Sequence, residues 1–183
     1  MREIVLLAPS SSLSSEEGGI VTRFVVGALL LSHGTRTDVR VIVFFDSEKC
    51  VSFEGNSMRN VRPDEQSLSG ILRAGLKRLG GAGSGRVMQG INAHLKPFEE
   101  YLKEARHARL FYGGAGGKVT NFNSDFVAVF QYPSMSRQME DDLCRHGFLP
   151  MHLSERVLSP DQAVVVLNNT VDRRKTTIDT LLE

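Results

Sequence analysis

The sequence has 183 residues, of which 41% are hydrophobic and 23% are charged, so it fits one globular domain and excludes a disordered or collagen-like chain. The 22 Lys and Arg residues balance 21 Asp and Glu residues, so a nucleic-acid site must come from local clusters of cations rather than from net charge. The apolar runs are too short to span a membrane, and the two cysteines give no disulfide framework, which fits a reducing compartment.

The first half of the chain is predicted from its apolar runs and turn residues. Residues 4–7 are predicted as a buried strand rather than the core of a signal peptide, and residues 20–31 as a helix that is buried on most sides. Val39–Phe45 is the strongest predicted strand because it is β-branched and aromatic, and residues 50–53 follow as a second strand. A helix is predicted to begin at Pro63 and to carry apolar residues at helical spacing.

The second half continues the alternation of strands and helices after a glycine-rich loop at residues 80–85. The predicted helices are residues 94–105, 136–146 and 160–171, and the predicted strands are residues 108–112, 126–130 and 148–151. The alternation predicts an α/β fold, a mostly parallel sheet sandwiched by helices, in a single domain over residues 1–183. Ligands of such folds lie beyond the carboxyl ends of strands, here at residues 131–134 and 152–155.

Three common site chemistries find no support in the sequence. The glycine-rich residues 113–118 lack the first Gly of a phosphate-binding P-loop, where Tyr112 stands, and the hydroxyl residue after the Lys, where Val119 stands. No G-x-S-x-G motif exposes a nucleophilic serine, and the five histidines are scattered without the spacing of a metal site. The sequence therefore predicts no metal site and a solvent-exposed turn at residues 113–117.

Residues 32–38 place polar groups between a predicted buried helix and a predicted buried strand. Arg36 and Asp38 stand two residues apart in this connection, where they can form an ion pair that braces the loop or can receive a ligand. The planar guanidinium of Arg36 suits phosphate. Both interpretations stay open on the residues alone.

Residues 24–39, which read FVVGALLLSHGTRTDV, resemble the archaeal and bacterial TrmY family of SPOUT-class methyltransferases, which act on a T-loop pseudouridine of tRNA. The order of motifs continues with VRPDEQS at residues 61–67, MHLS at residues 151–154 and NTVD at residues 169–172. The Met1-Arg2 start before an apolar strand also agrees. Each motif is short, but their shared order and spacing extend from the first strand to Asp172.

The resemblance implies a SPOUT-like fold with a carboxyl-terminal trefoil knot at about residues 125–175, a rare exception to un-knotted topology. It implies a homodimer that binds S-adenosylmethionine in the knot and shares its RNA site between subunits. Asp38 would orient the substrate or accept its proton, and Arg36 would hold a flanking phosphate. The residues expected at the cofactor are Phe130, Gln131, Leu153, Ser154 and Asn169.

Both expected cofactor loops depart from the family pattern. Phe130-Gln131-Tyr132 stands where the family has Gly-Asp-His, and a ring at Phe130 would fill cofactor space unless it turns into the core. Glu155 replaces the proline of the family's L-S-P and adds a negative charge. Two interpretations follow: the methyl-donor site is weakened or lost, or another sequence builds the same site.

Clusters of cations support RNA binding independently of the family resemblance, because such clusters neutralise phosphates. The residues expected to bind RNA are His33, Arg36, Arg59, Arg62, Arg73 and Lys77, and smaller basic groups stand at Arg106, Arg109 and residues 173–175. With the resemblance, the sequence predicts a TrmY-like RNA-binding protein that, if active, transfers a methyl group from S-adenosylmethionine to a pseudouridine of tRNA or another structured RNA. Its expected location is cytoplasmic or organellar, without a membrane partner. The alternatives are an inactive SPOUT relative that assists ribonucleoprotein assembly, such as that of the ribosome, and a protein-interaction module without RNA.

Overall fold

The structure, a computed structural model, describes residues 1–14, 18–105, 108–112 and 125–181. The strands are β1 (Arg2–Ala8), β2 (Leu30–Leu31), β3 (Gly34–Thr35), β4 (Val39–Phe45), β5 (Lys49–Glu54), β6 (Gly85–Met88), β7 (Ile91–Leu95), β8 (Ala108–Tyr112), β9 (Phe126–Gln131) and β10 (Leu149–Met151). The helices are α1 (Gly18–Leu29), α2 (Glu65–Gly81), α3 (Phe98–Glu104), α4 (Arg137–Arg145) and α5 (Pro160–Leu181), with a short 3₁₀ turn at Ser10–Leu13.

Eight strands form one sheet in the order β10-β8-β9-β1-β4-β5-β7-β6. The pairs from β10 to β4 are parallel, whereas β5, β7 and β6 are joined as antiparallel neighbours on one side. This confirms the predicted mostly parallel α/β sheet. Within the described residues, no helix is long and apolar enough to cross a membrane.

The two faces of the sheet carry two separate hydrophobic cores. Val41, Val43 and Phe45 of β4 point to the core formed with α1, α2 and α5. Ile42 and Phe44 of the same strand point to the smaller core formed with α3 and α4. Because strand side chains alternate between faces, one apolar strand supplies both cores, and the helices sandwich the sheet as predicted.

Helices α1 and α5 pack closely on one face. A Cβ atom at Gly27 would lie 2.7 Å from Cγ2 of Val165, so the glycine permits the close approach. An ion pair of 2.9 Å between Arg23 Nε and Asp161 Oδ2 joins the same helices. The helix α5 therefore runs alongside α1.

The structure corrects three predicted elements. The last helix, predicted over residues 160–171, extends to Leu181. The helix predicted over residues 94–105 begins only at Phe98, because Ile91–Leu95 forms strand β7 and pairs with β5 and β6. Ile91 and Ala93 alternate with polar residues at the period of a strand, and the turn at Gly90, with φ of +73°, joins β6 to β7. The helix predicted over residues 20–31 ends at Leu29, because Leu30 and Leu31 pair with β3. The glycine-rich residues 113–118 lie outside the described residues.

Candidate functional site

Buried Arg2 is the centre of a polar network at the amino ends of β1 and β4, an edge called here the amino edge. Its side chain is 2% exposed and donates to both carboxylate oxygens of Asp38, from Nη2 at 3.1 and 3.0 Å and from Nε at 3.2 Å. Its Nη1 lies 2.8 Å from Asp172 Oδ1. The network thus holds Asp38 by an ion pair across two strands, and Asp38 braces this edge.

Arg36 binds the carboxyl end of α1 rather than its neighbour Asp38. Its Nη1 donates to the carbonyl oxygens of Gly27 and Leu30, each at 3.3 Å, and its Nε donates to Asp172 Oδ2 at 3.1 Å. A cation at this position complements the negative end of the helix dipole. Arg36 is 12% exposed, so it supports the loop and keeps only a small surface for a ligand.

Asn168 of α5 completes the network and has no counterpart among the predicted site residues. Its Oδ1 accepts from Arg2 Nη1 at 2.9 Å, and its Nδ2 donates to the carbonyl oxygen of Ala28 at 3.0 Å. The sequence signal was available, since Asn168 and Asp172 stand one helical turn apart and face the same cation. By contrast, the predicted Asn169 is exposed on the other side of α5.

The loop after β5 meets the loop before β4 at this same edge. The N–H of Gly55 donates to the carbonyl oxygen of Val39 at 3.0 Å, and a Cβ at Gly55 would lie 2.1 Å from the carbonyl oxygen of Arg36. Because the chain continues from Gly55 through Arg59 to Arg62, the amino edge brings together separate groups of predicted RNA-binding residues. His33 is exposed in the turn between β2 and β3.

Four predicted cations form a solvent-exposed basic surface: Arg59, Arg62, Arg73 and Lys77. Arg73 and Lys77 are one turn apart on α2, and Arg73 Nη2 donates to Ser69 Oγ at 2.7 Å. All four side chains are exposed, and Arg62 stands near enough to Asp64 to interact electrostatically with its carboxylate. They are therefore available to phosphates. Arg106 lies outside the described residues, as do the side chains of Arg174 and Lys175.

The α2 helix that displays Arg73 and Lys77 has a capped amino end. The Asp64 side chain accepts from the N–H of Ser67 at 2.8 Å as the cap, so the helix predicted to begin at Pro63 begins at Glu65. This hydrogen bond lowers the pKa of the Asp64 carboxyl below its usual value. The cap is therefore charged at neutral pH and fixes the first turn beside Arg62.

The first of the predicted cofactor residues lie at the opposite edge of the sheet. This edge, where β1, β4, β8, β9 and β10 end, is called here the carboxyl edge. Phe130 turns into the core with 0% exposure. Its ring packs edge-on against Phe24, with centroids 5.3 Å apart, and stacks on Tyr112 at 5.8 Å. The ring therefore takes the inward direction for which the sequence predicts no obstruction at this position.

Gln131 borders a cavity of about 310 Å³ beyond the ends of β1, β4 and β9. Its Oε1 accepts from the N–H of Ser136 at 2.8 Å, which orients the loop after β9. Asp46 lines the same cavity, and hydrogen bonding to Ser10 lowers the pKa of its carboxyl. A larger cavity, of about 480 Å³, lies under α3 on the sheet face away from Arg2 and Asn168.

Leu153 and Ser154 lie in the loop between β10 and α5, and both are half-buried. Ser154 Oγ accepts from the N–H of Arg156 at 3.0 Å. Farther along this loop, the Tyr112 hydroxyl accepts from the N–H of Leu158 at 2.8 Å and donates to its carbonyl oxygen at 3.0 Å. The end of β8 and the loop after β10 are thus joined at the carboxyl edge.

The predicted site residues of one chain therefore fall into two groups. Asp38 precedes β4 and Gln131 ends the parallel strand β9, so the length of a strand, about 20 Å, separates them. Asn169 follows Pro160 by nine residues of helix, about 14 Å, and lies toward the amino edge instead of beside Leu153 and Ser154. The role of Asn169 at the cofactor therefore stays a prediction, as do those of Leu153 and Ser154.

No group of three or more metal-ligating side chains occurs among the residues with described positions. The histidine of the second loop, His152, has its Nε2 3.2 Å from Glu155 Oε1. The arrangement offers hydrogen bonds, ion pairs and positioned loops, which suit binding and orientation.

A family model described as "Putative SAM-dependent RNA methyltransferase" matches residues 11–176. The chain is 34% identical over 88 residues to a tRNA (pseudouridine(54)-N(1))-methyltransferase of Haloarcula marismortui, a match that covers 42% of this chain and 44% of the relative. The corresponding protein of Haloferax volcanii is 33% identical over 53% of each chain. These two matches span about half the length of the relatives.

A protein of the same name from Methanococcoides burtonii is 26% identical over 165 residues, which cover 84% of this chain and 82% of the relative. Among solved structures, Archaeoglobus fulgidus Nep1 bound to S-adenosylhomocysteine has a TM-score of 0.65 with 10% identity. The similarity covers 96% of this chain and 99% of the Nep1 chain, and it shows a shared fold.

Proposed function

This chain belongs to the family of putative S-adenosylmethionine-dependent RNA methyltransferases, and we propose from that premise that it methylates N1 of a pseudouridine in tRNA or another structured RNA. The observation that carries the proposal is the family match over residues 11–176, which includes both edges of the sheet. The names of the archaeal relatives support the choice of nucleotide.

The residues at the carboxyl edge fit a methyl donor, because the Phe130 ring does not point into the space proposed for it. Phe130 packs against Phe24 and Tyr112 inside the core, so its ring does not compete for the space beyond β9. Gln131, Leu153 and Ser154 are the residues that would hold the cofactor there. The packing of Phe130 therefore favours the interpretation that another sequence builds the same site over the interpretation that the site is lost.

When bound, S-adenosylmethionine supplies a methyl group on a sulfonium, and N1 of pseudouridine exchanges its N–H bond for an N–CH₃ bond. The protein contributes mainly alignment of the reacting groups and removal of the N1 proton. We assign the orientation or acceptance of that proton to Asp38 and the grip on a flanking phosphate to Arg36. Arg2 and Asn168 keep the Asp38 carboxylate in place.

The separation of the two edges supports a homodimer with a shared site. Within one chain Asp38 stands about 20 Å from the carboxyl edge, so it can reach a methyl donor only on a second copy. Val165 of α5 is 50% exposed and borders a groove with Val26 and Gly27 of α1. This apolar face is the surface we propose for the second copy.

RNA binding follows from the basic surface of Arg59, Arg62, Arg73 and Lys77, which continues from the amino edge onto α2. Exposed guanidinium and ammonium groups position a nucleic acid through its phosphates. His33 adds an exposed imidazole at the same edge. We propose that this surface orients the RNA so that one nucleotide reaches the shared site.

The single domain over residues 1–183 and a trefoil knot at about residues 125–175 remain part of the proposal. The hydrogen bonds of Tyr112 with Leu158, in the loop before α5, and the packing of α5 on α1 support a knot, because they hold the carboxyl-terminal segment against earlier elements. A cytoplasmic location remains a prediction.

Methyl transfer to a pseudouridine tests the proposed function. Purified protein is incubated with radiolabelled S-adenosylmethionine and a T-arm stem-loop that carries pseudouridine, and the same stem-loop with uridine is the matched control. We expect label in the pseudouridine RNA only, and N1-methylpseudouridine after nuclease digestion. Asp38→Asn is expected to lower the rate, whereas Asp141→Asn, an exposed residue of α4, leaves it unchanged.

Retention of the stem-loop without any methyl transfer would contradict the proposed activity and would favour the ribonucleoprotein assembly factor. Absence of both methyl transfer and salt-dependent RNA retention would favour the protein-interaction module. A mixture of Asp38→Asn and Leu153→Glu proteins tests the shared site. A dimer with one chain of each variant keeps one complete site, because the intact Asp38 of one chain meets the intact Leu153 of the other. We expect the mixture to recover activity that neither variant has alone.

A further inference from the structure

A second cavity lies on the α3 face of the sheet and extends to the amino ends of β1 and β4, where Met1, Glu3 and Arg40 line it. It encloses about 480 Å³, within the range of small-molecule sites. Its wall combines apolar side chains from β4 with polar ones from β5 and β7: Ile42, Phe44, Ser52 and His94. Tyr101 of α3 also lines the cavity.

Ser52 is a polar residue of this cavity whose hydroxyl lacks a hydrogen-bond partner. The residue is 1% exposed, and its Oγ has no hydrogen-bond partner among the described residues. A buried hydroxyl without a partner costs free energy, about 1–3 kcal/mol, and most proteins avoid it. A ligand in the cavity would supply the missing hydrogen bond.

His94 stands diagonally across from Ser52 on the neighbouring strand. Ser52 pairs with Asn92 and Cys50 pairs with His94, so Ser52 and His94 share one face with about 7–8 Å between their Cα atoms. Burial, with the positive charges of Arg40 and Lys96, lowers the pKa of His94. A neutral imidazole offers one donor and one acceptor, as the serine hydroxyl also does.

The charges around the cavity are already matched within the protein. Arg40 Nη1 donates to Glu3 Oε2 at 3.0 Å, and Arg40 Nε lies 2.7 Å from Glu54 Oε1. Lys96 pairs with Glu104, and Glu100 adds a further carboxylate to the lining. The amino group of Met1, a third cation of the lining, pairs with Asp125, so each cation has a carboxylate and an anionic ligand would meet more negative than positive charge.

We propose that this cavity binds a small uncharged heterocycle of nucleobase or nucleoside size, which hydrogen-bonds along one edge to Ser52 and His94. Its apolar body lies against Ile42 and Phe44. The site is on the sheet face opposite α1 and α5, so it is separate from the proposed cofactor loops and from the network around Arg2. It would let a free base or nucleoside occupy the protein independently of RNA.

A titration followed by amide NMR signals tests this site, with uracil and orotate as probes and S-adenosylhomocysteine present in excess. Uracil is uncharged, whereas orotate is the same ring with a carboxylate. We expect uracil to shift the signals of Ser52 and His94 saturably and orotate to bind at least tenfold more weakly. Adenine, tested as a second uncharged ring, is expected to shift the same signals.

Ser52→Val removes the hydroxyl and keeps a side chain that suits a strand, and it is expected to weaken the binding of uracil about tenfold. Ser69→Ala, a buried serine on the other face, is the matched control and should bind like the wild type. The proposal is overturned if neither uracil nor adenine binds, if orotate binds as tightly as uracil, or if Ser52→Val binds unchanged. If Ser52→Val does not fold, His94→Phe serves in its place.

Discussion

Arg2 is the residue on which the amino edge depends. Its guanidinium is almost fully buried, and it contacts Asp38, Asp172 and Asn168 at once. A buried cation is tolerated only where carboxylates and hydrogen bonds compensate its lost hydration. The segment of residues 32–38 therefore owes its conformation to a residue at the start of the chain.

Asp38→Asn is expected to lower the free energy of unfolding by about 2 kcal/mol, because Arg2 loses a charged partner that bonds to it through both oxygens. Urea unfolding measures this change. Asp141→Asn, at an exposed position of α4, should stay within about 0.5 kcal/mol of the wild type. Equal stability of the two variants would show that Asp38 does not brace the edge.

The thiol of Cys50 makes stability depend on alkaline pH. Burial raises the pKa of Cys50 from 9.0 to about 11. The unfolded chain then loses this proton first as the pH rises, so the contribution is complete below pH 9 and is lost as the pH rises toward 11. A gap of about two pH units corresponds to at most about 2.7 kcal/mol.

Between about pH 8 and pH 10.5, the free energy of unfolding is expected to fall by about 2 kcal/mol less in Cys50→Val than in the wild type. Urea unfolding at the two pH values gives the comparison. Cys144 is exposed, so Cys144→Val should keep the full alkaline loss. An identical pH dependence in the two variants would rule out a buried thiol as the cause.

At the scale of single residues, part of the candidate functional site could be predicted from the sequence. The exposed cations of α2 follow from helical spacing, since Arg73 and Lys77 lie away from the apolar stripe of that helix. The direction of the Phe130 ring could not be predicted, because an aromatic residue at the end of a strand fits both a core and a ligand site. Only the packing of α1 against β9 decides that it points inward.

Among the elements, strand β4 and helices α2 and α4 agree with the sequence prediction because their signals are local. Val39–Phe45 is a continuous β-branched and aromatic run, and Ser136 accepts from the N–H of Met139 at 3.2 Å as the cap of α4. The β6–β7 hairpin was missed because its strands are short and polar, and its pairing with β5 is tertiary.

The contact between α1 and α5 depends on Gly27. Gly27→Ala is expected to lower the free energy of unfolding by about 1–2 kcal/mol, because the new Cβ would lie 2.7 Å from the stiff side chain of Val165. Gly70→Ala on α2 meets no atom within 4 Å and is expected to stabilise by about 0.5–1 kcal/mol. Stabilisation by both substitutions would contradict the close packing of the two helices.

At the scale of the whole molecule, the parallel strands place two kinds of chemistry at opposite edges of the sheet. Cations and the Arg2 network lie at the amino edge, and the loops predicted to hold the cofactor lie at the carboxyl edge. The sequence predicted both groups but could not show their separation, because strand order is not encoded in local periodicity. A knot is likewise a property of the chain path and leaves no local pattern.

RNA affinity is expected to depend on the basic surface and on salt. The triple substitution Arg62→Glu, Arg73→Glu and Lys77→Glu should reduce the slope of log K against log salt by about 0.7–0.9 for each phosphate that the variant no longer neutralises. The matched control reverses three exposed cations of α3 and α4, which are Lys103, Arg137 and Arg145. Filter binding of a stem-loop at several salt concentrations measures the slopes, and equal slopes for both variants would place the RNA elsewhere.

Calorimetric titration of the protein with S-adenosylmethionine tests the central claim most directly, because it asks whether the carboxyl edge still holds a methyl donor. With the Phe130 ring inside the core, we predict saturable binding at micromolar concentrations that Leu153→Glu weakens. A folded protein that retains RNA yet gives no heat of binding with the cofactor at millimolar concentration would contradict the account.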